Sequence, residues 1–314
     1  MNTILTVTAD KSSESIVNKS VHSDFLIHWT GYDIDEEHDR RWWNKKEIKI
    51  NKHIIDPYLK RLKYILKYGL WMNNERDFIE FKNKKMKIPV VARTCFTELK
   101  LSETWTHAQK FGRLGIGFKR MFVFNRMGFP MIYFPPEKEN WLLPPFLSGR
   151  PDMEIKEFWA CFLKSMDEKL IPGQLLQYKQ FDESEWRIIY SKEIEERLRS
   201  IGRDNLCKFF KKPSDILDAQ FHDYVKEHDK NKRLEYLIPL EDSREERWSR
   251  WFAMIIYPTL AVKVASEADE EIRNEILRLK PKASDVDMKI LCASAAYEKY
   301  SKPLEIDLAA CRNF

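Results

Sequence analysis

The stretch Gln180–Tyr190, QFDESEWRIIY, decides how the chain reads. Its side chains alternate in character. Trp186, Ile188 and Tyr190 fall on one side of an extended strand, and Glu183, Glu185, Arg187 and Ile189 on the other. Trp, Ile and Tyr suit a buried pleated face. The other face lines up two carboxylates and a guanidinium, which a strand holds more rigidly than a loop does. Two readings of that polar row stay open: charges in water on a half-exposed strand, or a chemical site.

Upstream, Phe25–Thr30 (FLIHWT) is a second short apolar strand, ended by Gly31. His28 sits inside it, where a histidine is ordinarily a satisfied core residue. Between the two strands lies the clearest helix. Ile55, Tyr58, Leu59, Leu62, Ile65, Leu66 and Leu70 recur at three- and four-residue steps, with Pro57 expected in the first turn. Ile88–Leu99 reads as extended, and Ser102–Phe111 as a short helix carrying His107 on its surface.

Gly112–Phe118 (GRLGIGF) is glycine-rich but lacks the full GxGxxG between strand and helix, so it is no Rossmann fingerprint. Its glycines suit a close approach of backbone to a ligand or a neighbouring strand. Met131–Phe134 is a strand stopped by Pro135-Pro136, and 137–153 is a linker or surface loop. Glu154–Lys169 carries apolar residues at helical spacing.

Beyond the opening stretch, 192–232 reads as charged and mostly helical. Leu234–Leu240 reads as an edge strand because of Pro239. Asp242–Ile255 is expected to be a helix, Thr259–Ala265 a strand, Asp269–Leu279 a helix with an acidic first turn, and Leu304–Leu308 a last strand. Strands and helices mix without a βαβα beat, which predicts an α+β fold. Residues 1–22 are expected to form a flexible arm and 23–314 one α+β domain, with a sub-boundary near 191–232.

The bulk numbers narrow the class. The 314 residues are 43% hydrophobic and 13% aromatic, enough for a sizeable core and against disorder. The net charge of +5 permits a nucleic-acid or nucleotide partner without demanding one. Lys82, Lys84, Lys85 and Lys87 form a basic loop, a solvated face or a phosphate-holding one. The five cysteines are scattered without a CxxC pair, which fits reduced thiols and offers no zinc framework. No metal site is expected. Without a signal peptide or a membrane-length apolar run, the expected location is cytoplasmic.

Three blocks carry a resemblance. Ser23–Gly31 (SDFLIHWTG), Cys95–Arg120 with MIYFPP after it, and Asp182–Tyr190 (DESEWRIIY) resemble the AbiGi family of bacterial abortive-infection loci, usually labelled an antitoxin component. The C-terminal LAVKVASEADEEIRNEIL and EIDLAACRNF look like it as well. A His on a first strand, a Thr/aromatic element in the middle and a Glu on a late strand also resemble the ADP-ribosyltransferase fold. Glu183-Ser184-Glu185 looks like that superfamily's E-x-E, while CFTE stands where Ser-Thr-Ser would be. The resemblance implies a mixed sheet core of that type with peripheral helices, and NAD as substrate.

It also implies roles. Glu185 would be the catalytic glutamate, Glu183 would orient the acceptor, and His28 would bond the NAD ribose. Thr30, Gly31, Phe96 and Thr97 would line the cofactor pocket, Gly115 and Gly117 would admit the dinucleotide, and Lys119, Arg120 or Arg113 would meet its phosphates. Cleavage of the nicotinamide bond passes through an oxocarbenium-like state that one fixed carboxylate stabilises through the ribose 2-hydroxyl. On this reading His28 and Glu185 face one cleft, and the acceptor is a protein or a nucleic acid.

The alternatives are three. A non-catalytic antitoxin or scaffold binds a partner protein from the same locus, a toxin, antitoxin or chaperone. A nucleic-acid module uses the Lys82–Lys87 loop. A hydrolase uses Glu183 with Glu185, although side chains two apart on a strand lie too parallel to flank a bond.

Overall fold

Glu185–Tyr190 is a strand, and every one of its side chains is buried. That is the first departure from a half-exposed row: the polar face is covered too. A computed structural model describes residues 25–37, 52–76, 78–81, 84–98, 104–134, 157–165, 184–241, 251–279 and 303–313. In chain order they form β1 (Phe25–Thr30), α1 (Tyr32–Glu37), α2 (Lys52–Tyr68), β2 (Leu70–Glu75), β3 (Phe78–Phe81), β4 (Lys84–Lys87) and β5 (Val91–Glu98). There follow α3 (Thr104–Phe111), β6 (Leu114–Lys119), α4 (Arg120–Phe124), β7 (Phe129–Pro130), β8 (Ile132–Phe134), β9 (Leu163–Ser165) and β10 (Glu185–Tyr190). Last come α5 (Lys192–Ser200), α6 (Ala219–His228), β11 (Leu234–Ile238), β12 (Phe252–Tyr257), α7 (Leu260–Ala268), α8 (Glu270–Arg278) and β13 (Leu304–Asp307).

The fold is α+β around a mixed nine-stranded sheet of order β11-β2-β5-β1-β6-β12-β13, with β10 on the other edge of β5 and β7 beyond it. Its pairs are antiparallel except β12 with β13. β11 stands at one end, as Pro239 just past it requires. One face carries the main apolar cluster. Leu26, Phe96, Ile116, Phe118, Trp186, Ile188 and Tyr190 meet Tyr58, Leu62, Ile65 and Leu66 of α2, Val262 of α7 and Ile272 of α8. Phe209 and Phe210, from the region after α5, enter that same cluster.

The opposite face carries two smaller clusters. One joins Ile189 and Val91 to Ile79, Phe134, Ala160 and Leu163. The other joins Ile27, Trp29, Met254 and Ile256 to Ala108, Leu308 and Cys311. Between them runs a polar strip that includes Arg93, Cys95, Thr97, Glu185 and Arg187, as strand alternation and register require.

Three expected elements change type. Within 154–169 the described part is a short 3-10 turn, Phe158–Phe162, followed by β9, which pairs with β8. A brief apolar run has no intrinsic choice between helix and strand. The C-terminal end of the Asp242–Ile255 helix is instead the start of β12, recruited by pairing with β6. The Thr259–Ala265 strand is helix α7: the Thr259 side chain accepts from the Val262 N–H, a helix N-cap that outweighs the β-branched content. Pro57 lies inside α2, since the helix begins at Lys52. Residues 1–22 lie outside the described residues.

Candidate functional site

β1 and β2 share one edge of β5 without filling it. β1 takes Thr97 and Glu98, β2 takes Val91–Arg93, and β10 runs along the far edge. The sheet therefore forks over Thr94–Phe96. Backbone groups exposed in such a gap need partners, and side chains supply them. Thr94 Oγ1 donates to the Trp71 carbonyl at 2.7 Å, and His28 Nδ1 donates to the Cys95 carbonyl at 2.9 Å.

The bond to Cys95 fixes the His28 tautomer. A carbonyl only accepts, so Nδ1 carries the proton and Nε2 presents a lone pair. Nε2 has no partner among the described residues. Burial lowers the His28 pKa, the Cys95 carbonyl opposes this, and the nearby Arg61 charge lowers it further. The ring is thus neutral near pH 7.

Thr30 lies on the same face of β1, two residues on. Its Oγ1 accepts from Arg61 Nη1 at 2.9 Å. Arg61 projects from α2, donates through Nε to the Tyr224 hydroxyl at 2.5 Å, and grips Asp33 at 2.6 Å and 3.3 Å. Tyr224 stacks on Tyr64 with centroids 4.1 Å apart. Gly31 serves this corner through its backbone: φ is +97°, and a Cβ there would meet the Tyr58 ring at 2.6 Å. At the base of the fork Asn73 pairs with Arg93, and its buried Oδ1 lacks a partner among the described residues.

Glu185 stands elsewhere. Ile27, Thr97 and Glu185 form one cross-strand row and so share a face. His28 follows Ile27 and points the other way, with Leu26 and beside Phe96 (centroids 5.8 Å). The single cleft holding His28 and Glu185 is not formed, because the two residues differ in parity across the same sheet. Glu185 Oε1 takes Arg187 Nε at 2.6 Å and Oε2 takes Lys164 Nζ at 2.8 Å. Burial pushes its carboxyl up, but Arg187 and Lys164 outweigh that and hold it at about 2. Arg187 also donates to the Cys161 carbonyl at 2.9 Å. Burial and the Glu185 charge push the Cys95 thiol up to about 12, so it is inert.

The other expected site residues scatter. Phe96 is core, packed on Phe118 and Phe122. Thr97 is a buried member of the polar strip, on the face away from His28. Gly115 and Gly117 admit neighbouring side chains: a Cβ would meet Trp29 at 2.8 Å and Met254 at 2.7 Å. Lys119 pairs with Phe25, at the end of β1 remote from Thr30. Arg120 is bound to Glu98, and Arg113 is buried beside Asp35. His107, expected on the surface, is only 3% exposed. Lys84, Lys85 and Lys87 form strand β4, with Lys87 exposed. Glu183 and Lys82 lie outside the described residues.

Arg61, Asp33 and Tyr224 were not foreseen. On α2 an arginine three residues after Tyr58 looks like any solvated helix charge, and nothing local links it to residue 224. Together the fork offers a fixed acceptor, a hydroxyl and a guanidinium, which suits a ligand carrying hydroxyl and anionic groups. Among the described residues no group of His, Cys, Asp and Glu could hold a metal ion, and no helix is long and apolar enough to cross a membrane. Comparison with protein-family models, curated proteins and solved structures finds no match to this chain.

Proposed function

We propose that this chain binds NAD, or a nucleotide built like it, in the fork beside His28. On this reading it serves bacterial phage defence through what it binds, as a non-catalytic antitoxin or sensor that engages a protein from the same locus. One observation carries the reading. His28 Nε2 has no partner among the described residues and its ring lies within electrostatic reach of Arg61, whereas the Glu185 carboxylate, on the opposite face of the sheet, has both oxygens taken by cations. The phage-defence context rests on the AbiGi-like blocks. A protein partner is favoured by Phe129, Ile132 and Trp159, which are 53%, 60% and 43% exposed on β7, β8 and the turn before β9.

The test is a calorimetric and thermal-shift titration of the full chain with NAD. A ligand that binds only the folded state raises the melting temperature by mass action. His28→Asn keeps a donor for the Cys95 carbonyl and removes Nε2, so affinity should fall about tenfold, one hydrogen bond's worth. No response of the wild type to millimolar NAD defeats the ligand reading.

The transferase reading has one observation in its favour: β1, β5 and β10 are consecutive neighbours, with Ile27, Thr97 and Glu185 in one row. It requires Glu185 to exchange a cation for the ribose 2-hydroxyl. Labelled NAD decides between the two. Label transfer that drops about a hundredfold in folded Glu185→Gln supports the enzyme. Absence of transfer by the wild type supports the binding protein.

A further inference from the structure

Arg61 is arranged like a receptor for an oxyanion. Its side chain is 15% exposed, and its Nε and Nη1 are anchored on the inner side by Tyr224 and Thr30. Asp33 spans its outer edge with one carboxylate oxygen on each terminal nitrogen. That two-pronged geometry is the one guanidinium offers to carboxylate and phosphate alike. The two partners differ in exposure: the Asp33 side chain is 52% exposed. A buried guanidinium is costly to leave unpaired, while an exposed carboxylate returns to water at little cost. Exchange of one anion for another is therefore easier than vacancy. Close by, Lys60 lies over the Tyr224 ring at 5.3 Å and is paired with Glu227 at 2.8 Å, so Arg61 is the cation that faces Asp33.

We propose that Arg61 binds a phosphoryl group of the ligand, and that Asp33 is an internal carboxylate holding that place until the ligand displaces it. The proposal rests on the fork being a ligand site and adds to it the anionic half of the ligand and a competing side chain. Asp33 is thus an affinity-setting residue: while it occupies Arg61, only a fraction of molecules is competent to bind.

The probe is inorganic pyrophosphate, titrated calorimetrically into the full chain at low salt. Asp33→Asn should bind it about tenfold or more tightly than wild type, and Arg61→Lys in the Asp33→Asn background should abolish that gain. Equal or weaker binding by Asp33→Asn overturns the proposal, as does a gain that survives loss of Arg61. If Asp33→Asn does not fold, wild type decides the matter by NMR titration of the Asp33 carboxyl. Its depressed pKa should return toward the ordinary carboxylate range with saturating pyrophosphate; an unchanged value overturns the proposal. Failure here combined with His28-dependent NAD binding rejects the displacement and leaves the fork reading standing. Failure of both rejects the fork.

Discussion

At Glu185 a buried carboxylate meets the buried guanidinium of Arg187 and the partly exposed ammonium of Lys164. Such a group contributes little when formed but is expensive to break, because removing the anion loses the attraction that offsets the cost of burial. Glu185→Gln removes the carboxylate charge that faces Arg187 and Lys164 and should cost about 3–5 kcal/mol in a denaturant melt. Had the strand been half exposed, the same change would cost about 1 kcal/mol or less. The acid limb follows in sign. The folded carboxyl sits at about 2, below the ordinary 4.5, so its stabilisation is present above pH 4.5 and is lost as pH falls toward 2. Acid unfolding of wild type should show this loss, and Glu185→Gln should flatten it. His28 carries the companion prediction, its Asn variant separating ligand affinity from fold.

At the scale of elements, the pairing of β6 with β12 depends on absent side chains. Gly117 leaves room for Met254, whose Cβ would lie 2.7 Å from an added methyl. Gly117→Ala should therefore cost about 1–3 kcal/mol through overpacking, measured by chemical denaturation. α7 shows where local reading fails. LAVKVA has strand-like composition, yet Val262 and Ser266 are buried while Leu260 and Val264 are exposed, the pattern of a helix lying on a core. The Thr259 N-cap turns the run into a helix, and the β-branched composition conceals it. β10 was legible because strict alternation over Trp186, Ile188 and Tyr190 admits one period only.

Across the whole molecule, on the proposed reading, the ligand belongs to the fork and a protein partner to the exposed apolar group on β7, β8 and the turn before β9. Ile132→Asp, on a side chain 60% exposed, should leave the melting temperature within about 2 °C. On the proposed reading it should abolish association with a protein encoded at the same locus; unchanged association argues against that surface. By itself, the sequence determined the α+β class, the period of β10 and α2, the edge position of β11 and the short strand bearing His28. Those follow from side-chain spacing within a few residues, which local geometry dictates. Only the tertiary structure decided that β1 and β2 would split one edge of β5, that Arg61 would meet Thr30, Asp33 and Tyr224, and that Glu185 would face away from His28. Each of these depends on register between strands far apart in the chain. A shift of one residue reverses a side chain's face while leaving every local pattern intact.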